Sequence, residues 1–296
     1  MVSFSRKAHR FWDLMRWGLT LREGEASGEA AFVGPVGGCD AHGLRPLLVV
    51  HSHRRSGTHF LIDTLRSRFD VASDWFHLEE DFFSRLTHLP VVIKSHERVW
   101  GEKIRSDVHW ESYLHWVAAS ALYTNAVHMH IVRDPRKVMR SQYYFDLKGH
   151  EPAYRIDPQT SFTDYLRAPS PRDPQGQHTH LSYWCAQVES WSAQPGVFQI
   201  RYEDLLATPD RELDRIAQFL RMPLHREKWR TSTAIGRHTS DRQARTVAAH
   251  WGSQEEDLLQ ETARRFRLPD LGYGLSAAAE SDVPETGVPT LRPARA

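Results

Sequence analysis

Four short apolar runs mark the middle of the chain: Leu47–His51, Val91–Lys94, His128–Val132 and Val197–Arg201. Their length and content predict buried strands. Between them the apolar positions change to helical spacing. Phe60, Leu61, Ile62, Leu65 and Phe69 define one such pattern over 57–69. Others lie at 108–124, 134–147 and 180–193, and two more helices follow at 209–220 and 253–266. Strands alternating with helices predict an α/β fold, a parallel β-sheet flanked by helices on both faces. Its crossovers are expected to be right-handed. In such sheets ligands sit beyond the carboxyl ends of the strands, so chemistry is sought just after each run.

The pattern breaks down in three places. Residues 24–45 are rich in Gly, Ala and Glu and read as a linker, so the folded domain spans 46–275. The tail, 276–296, lacks aromatics, contains prolines and reads as disordered. Segment 149–179 holds Pro152, Pro158, Pro169, Pro171 and Pro174 and predicts a long irregular excursion with a short helix at 161–167. It reads either as a lid or binding loop or as a mobile surface loop. Before the linker, Phe11, Trp12, Met15 and Leu19 share one helical face with Arg10 and Arg16 elsewhere. That helix either packs on the domain or, through residues 4–19, lies on a membrane surface or a partner protein.

Composition narrows the field of partners. With 38 Lys and Arg against 37 Asp and Glu, the net charge of +1 gives no overall pull toward nucleic acid. Two cysteines are too few for a disulfide framework and fit either a reducing, cytoplasmic setting or simple indifference to redox state. No segment approaches the apolar length of a membrane span. The 18 histidines are many, and most are expected in loops or at the surface. No Cys/His cluster has zinc spacing, so no metal ligand is assigned.

Four strand ends carry candidate chemistry. The first reads Arg54-Arg55-Ser56-Gly57-Thr58-His59-Phe60 and opens a helix. Strand, basic turn and helix start together form a phosphate cradle: backbone N–H groups converge on the anion and the helix dipole favours it. Arg55 adds fixed charge, and Ser56 or Thr58 a hydroxyl donor. A Walker A loop would carry two flanking glycines and a Lys-Ser/Thr pair; only Gly57 is present here. The second end reads Lys94-Ser95-His96, a cation and a base two residues apart. The third places Arg133 at the tip of an apolar strand, with Asp134 and Pro135 starting a helix and Ser141 further along it. The fourth runs into Tyr202-Glu203-Asp204-Leu205, whose adjacent acids read as capping and ion-pairing groups rather than a catalytic pair.

In this order and spacing the four motifs, from about Pro46 to Tyr273, resemble the sulfotransferases that use 3′-phosphoadenosine-5′-phosphosulfate (PAPS). The resemblance implies a P-loop-like sulfotransferase fold and sets roles residue by residue. Residues 54–60 take the place of the 5′-phosphosulfate loop. Arg55 stands where the family mostly has lysine, Phe60 where it has the adenine-stacking tryptophan, and His59 where it has threonine. Arg133 and Ser141 match the pair that grips the 3′-phosphate, and Tyr202 a residue beside the adenine. His96 matches the catalytic base and Lys94 the lysine before it. The family's closing Arg-Lys-Gly segment has no clean counterpart; Arg237, Arg242 and Arg245 fall in that region.

The implied reaction is transfer of a sulfuryl group to a hydroxyl or amine of a small-molecule, glycan or lipid acceptor. His96 would take the acceptor proton, while Arg55 and Lys94 meet charge on the departing oxygen. No metal is required, since arginines and backbone donors supply the positive field. Two other readings stand beside it: a P-loop kinase or nucleotide hydrolase, and a non-catalytic binding protein on the same fold. Acceptor contacts are expected near His96, Trp100, Trp110, Tyr113, Trp116, Tyr143–Phe145, His178, Trp184 and the 149–179 segment. For the tryptophans at helical spacing a core role fits better.

Overall fold

The four apolar runs become strands β1 (Leu48–His51), β3 (Val92–Ser95), β4 (Val127–Val132) and β5 (Phe198–Arg201). A fifth, β2 (Trp75–His77), is too short to announce itself in the sequence pattern. All pair in parallel, in the order β2-β3-β1-β4-β5. The structure is a computed structural model that describes residues 48–71, 75–77, 92–96, 126–173, 176–227 and 249–275. The expected helices at 4–19 and 108–124, the linker, the Arg237 region and the tail lie outside these residues.

Helices fall where the spacing predicts: α1 (Thr58–Arg68), α2 (Pro135–Leu147), α3 (Phe162–Arg167), α4 (His180–Ser192), α6 (Pro209–Leu220) and α7 (Ser253–Ala263). A short α5 (Tyr202–Ala207) follows β5 directly and was hidden by its adjacent acids. Local chemistry sets several boundaries. The Asp134 side chain accepts from Arg136 N, with Pro135 in the first turn of α2. Thr179 and Ser182 form a reciprocal capping box on α4.

Strand alternation sorts the core onto the two faces of the sheet. Leu48, Val50, Val127, Met129 and Ile131 join Leu61, Ile62 and Leu65 of α1 and Ile216 of α6. A second cluster joins Met139 of α2, Tyr165 of α3, Trp184 of α4 and Leu259 of α7. Trp184, an acceptor candidate, is fully buried there, as its spacing suggested.

The alternation also drives histidines inward. His51, His53, His128, His130 and His180 are buried, five of the chain's 18 histidines. The reason is α4, which covers this face. Its Trp191 stacks on His51 at 3.4 Å between ring centres, and His51 meets His128 at 2.9 Å. Gln187 of α4 and Gln199 of β5 bracket His130 at 3.3 and 3.4 Å.

Burial first, with neighbouring positive or histidine groups where they are near, lowers His51, His53, His130 and His180 below their ordinary value of 6.5. His53 and His180 fall to about 3 and His130 to about 4, while His51 drops well below 6.5. The folded state therefore holds them neutral, whereas the unfolded chain takes up protons below about 6.5. Stability is fully present above that pH and is lost as pH falls toward 4. Each such group contributes up to about 1.4 kcal/mol per pH unit in that window. Urea unfolding midpoints at pH 7.5, 6 and 5 should fall steeply in that order; a flat profile would show that the histidines are hydrated in the folded chain.

The 149–179 excursion is built into the fold rather than draped over it. A bridge pairs Pro169 with Thr179, and Phe162, Tyr165 and Leu166 of α3 enter the second core. Arg172 grips Asp146 of α2 through both guanidinium nitrogens, at 2.9 and 2.6 Å. The Tyr165 hydroxyl donates to the same carboxylate at 2.8 Å, and its ring stacks on His180 at 3.9 Å.

Candidate active site

The turn after β1 is shaped by two residues with left-handed backbone. Arg55 has φ 70° and Gly57 φ 98°. Glycine is required at 57 on two counts: its backbone lies in the left-handed region, and a Cβ would sit 2.3 Å from Cδ2 of Tyr202. The α1 N-cap residue is this same Gly57, which has no side chain to cap the helix. The first N–H groups of α1 are thus left to face an incoming anion. Ser56 is fully buried, and its hydroxyl has no hydrogen-bond partner among the described residues. An orphan hydroxyl, a cradle that only glycine can form and an uncapped helix start fit a phosphate group.

The neighbouring strand β3 brings the next motif to the same edge. Ser52 N donates to Ser95 O at 3.1 Å, locking the ends of β1 and β3 together. His96 Nδ1 lies 3.0 Å from Ser52 O and 3.2 Å from Ser52 Oγ. Donation from Nδ1–H to the carbonyl selects the tautomer with its lone pair on Nε2. Ser52 Oγ also hydrogen-bonds Thr58 Oγ1, so one serine joins His96 to the start of α1. Sequence reasoning passed over Ser52; its place directly after an apolar strand was the signal. Lys94 is buried and donates to His59 Nε2 at 3.1 Å. Burial first, then Lys94 and Arg55, lowers the His59 pKa to about 4, so His59 is neutral at pH 7.

On the other side of β1, strand β4 delivers Arg133, and α2 delivers Ser141. Arg133 Nη1 donates to Arg55 O at 3.1 Å, and its guanidinium lies 4.5 Å from the Tyr202 ring centre. Its buried Nε has no hydrogen-bond partner among the described residues. Arg55 Nε donates to Ser141 Oγ at 3.1 Å, and Arg55 also lies 4.8 Å from the Phe145 ring centre. Tyr202 meets Phe60 edge-on at 5.6 Å, with Phe60 partly exposed. Glu203 fastens this corner, accepting from Asp134 N at 3.2 Å and from the Tyr273 hydroxyl at 2.8 Å.

Arg55, Ser56, Gly57, Thr58, His59, Phe60, Lys94, His96, Arg133, Ser141 and Tyr202 therefore gather at one sheet edge. Arg54 turns aside and donates to Glu151 at 2.6 Å, tying the loop to the 149–179 excursion. Arg237 lies outside the described residues. Of the acceptor candidates, Tyr143 is buried with its hydroxyl on Thr160 O at 2.7 Å, and Tyr144 accepts from Ala249 N at 3.0 Å. Trp100, Trp110, Tyr113 and Trp116 lie outside the described residues.

Residues 45–267 match the family model for the sulfotransferase domain. No curated protein matches the chain. Among solved structures it is similar to a mouse sulfotransferase complexed with PAP, at 15% identity over 77% of this chain and 86% of that one, with a TM-score of 0.50. It is also similar to a retinol dehydratase in complex with retinol and PAP, at 18% identity over 62% and 63%, with a TM-score of 0.41. A sulfotransferase from Alicyclobacillus acidocaldarius matches at 14% identity over 75% and 94%, with a TM-score of 0.42. The likeness to the mouse enzyme shows the shared fold.

Proposed function

The chain belongs to the sulfotransferase domain family, and from that premise we propose that it moves a sulfuryl group from PAPS to a hydroxyl or amine, with His96 as general base. One observation carries this reading: Ser52 contacts both His96 and Thr58, which joins the base to the phosphate cradle. A base held there stands beside any group bound at the start of α1.

The residues divide the work. Loop N–H groups, Ser56 and Thr58 hold the 5′ end of the nucleotide. Arg133 and Ser141 hold the 3′-phosphate, and Phe60 and Tyr202 flank the adenine. His96 Nε2 takes the acceptor proton as the acceptor oxygen or nitrogen bonds to sulfur. The bond from sulfur to the bridging oxygen breaks, and its electron pair stays on the 5′-phosphate. Lys94 and the loop N–H groups face that developing charge. The acceptor is a small molecule, glycan or lipid bearing a nucleophilic hydroxyl or amine.

The test is direct. The full chain is incubated with labelled PAPS and a panel of phenols, glycans and lipids, and transfer of label is followed. Transfer to at least one acceptor, without added ATP, is expected. Failure to bind PAP, or magnesium-dependent ATP hydrolysis in place of transfer, would overturn the proposal.

A further inference from the structure

We infer that Arg55, although it stands in the phosphosulfate loop, serves the 3′-phosphate and makes that loop a second reader of this group. The inference rests on the PAPS reading above.

Three observations point this way. The first is direction. Arg55 Nε donates to Ser141 Oγ, and the guanidinium lies against the Phe145 ring. Ser141 and Phe145 are one turn apart on the same face of α2, so they fix both the end and the plane of the side chain. The second is backbone. Left-handed φ at a residue other than glycine is strained unless its surroundings hold it. Here Arg133 holds it, by donating to the Arg55 carbonyl. The residue assigned to the 3′-phosphate thus also sets the aim of Arg55.

The third observation is charge. Among the described residues neither Arg55 nor Arg133 forms an ion pair with a carboxylate, although Asp146 and Glu151 lie close enough to be felt. Burial, and next the charge of Arg133, lowers the Arg55 pKa from its usual value. Two adjacent guanidiniums with one hydroxyl between their elements ask for a doubly charged anion.

The sulfuryl end has its own cation. Lys94 sits on β3, while Arg133 and Ser141 follow β4, and these strands flank β1 on opposite sides. Across the sheet they are separated by about 9–10 Å, two strand spacings. Lysine at position 55 would have been free to follow the departing oxygen; arginine, tied to Ser141 and Phe145, is turned the other way.

Binding of three probes to the full chain separates the two assignments: PAP, adenosine 3′-phosphate and adenosine 5′-phosphate, each titrated calorimetrically. Arg55→Asn is the variant of choice, because asparagine tolerates left-handed backbone. It should weaken PAP and adenosine 3′-phosphate by roughly 10- to 100-fold, the loss of charge-assisted hydrogen bonds, and adenosine 5′-phosphate by less than about threefold. A loss confined to PAP and adenosine 5′-phosphate, or equal on both single-phosphate ligands, overturns the assignment alone. A wild-type chain that does not bind PAP overturns the PAPS reading and this inference with it. Thermal melting checks the fold of the variant. Should it not fold, Arg55→Lys gives the same comparison, with the larger loss again on the 3′ ligands.

Discussion

Alanine in place of His96 is expected to lower turnover by roughly 100- to 10,000-fold, the range of general-base catalysis. Affinity for PAP should stay within a few-fold of wild type. The two effects separate because of where His96 stands. It follows β3, and its described hydrogen bonds run to Ser52, at the base of the cradle, rather than to the groups assigned to the nucleotide phosphates. Removing the imidazole takes away the proton acceptor and leaves the loop N–H groups, Arg133 and Ser141 in place. Arg133→Ala should behave in the opposite way and abolish PAP binding, since it removes one guanidinium and also the bond that holds the Arg55 carbonyl. Single-turnover rates with PAPS and calorimetric PAP binding, measured on both variants, supply the contrast. Near-normal turnover in His96→Ala would remove it from the role of base.

The largest stability effect is expected at Asp146. This carboxylate is buried in the second core and receives three donors, two from Arg172 and one from Tyr165. Arg172 is itself only 5% exposed along its side chain. Removing one member of such a pair leaves an uncompensated buried charge and costs about 3–5 kcal/mol. Asp146→Ala should therefore lower the urea midpoint sharply, and Arg172→Ala should do the same. Replacing both by apolar residues of similar size, as in Asp146→Leu with Arg172→Met, should recover much of the loss. The Arg172 variant should also loosen the phosphate loop, because Arg172 lies 3.5 Å from Glu151, the partner of Arg54. A loss below about 1 kcal/mol would mean that water reaches the pair and screens it.

The elements legible in the sequence were those written by local pattern. The apolar runs at β1, β3, β4 and β5 and the periodic helices needed no distant partner to be recognised. Strand β2 was missed because three residues cannot display a period. The burial of His128 and His130 was not legible for a different reason. Alternation along Val127–Val132 sends His128 and His130 to one face, which distant Trp191 and Gln187 of α4 cover. The site followed the same rule. Strand ends marked which residues gather at the edge, and Glu203 was rightly read as a fastening group rather than a catalytic acid. Which way an arginine turns was not legible. Arg54 goes to Glu151 and Arg55 to Ser141, partners 97 and 86 positions away, and the left-handed backbone between the two sets the divergence.

The central place of β1 in the sheet bears on how the chain is made. Its partners β3 and β4 lie 44 and 79 positions downstream in register. At about 5–20 residues per second, β1 leaves the ribosome some 4–16 seconds before β4 can pair with it. Through that interval Leu48, Val49 and Val50, with His51 and the turn that follows it, wait without their neighbours. The cradle is consequently a late product of synthesis, and nascent chains halted before β4 are the species most in need of a chaperone.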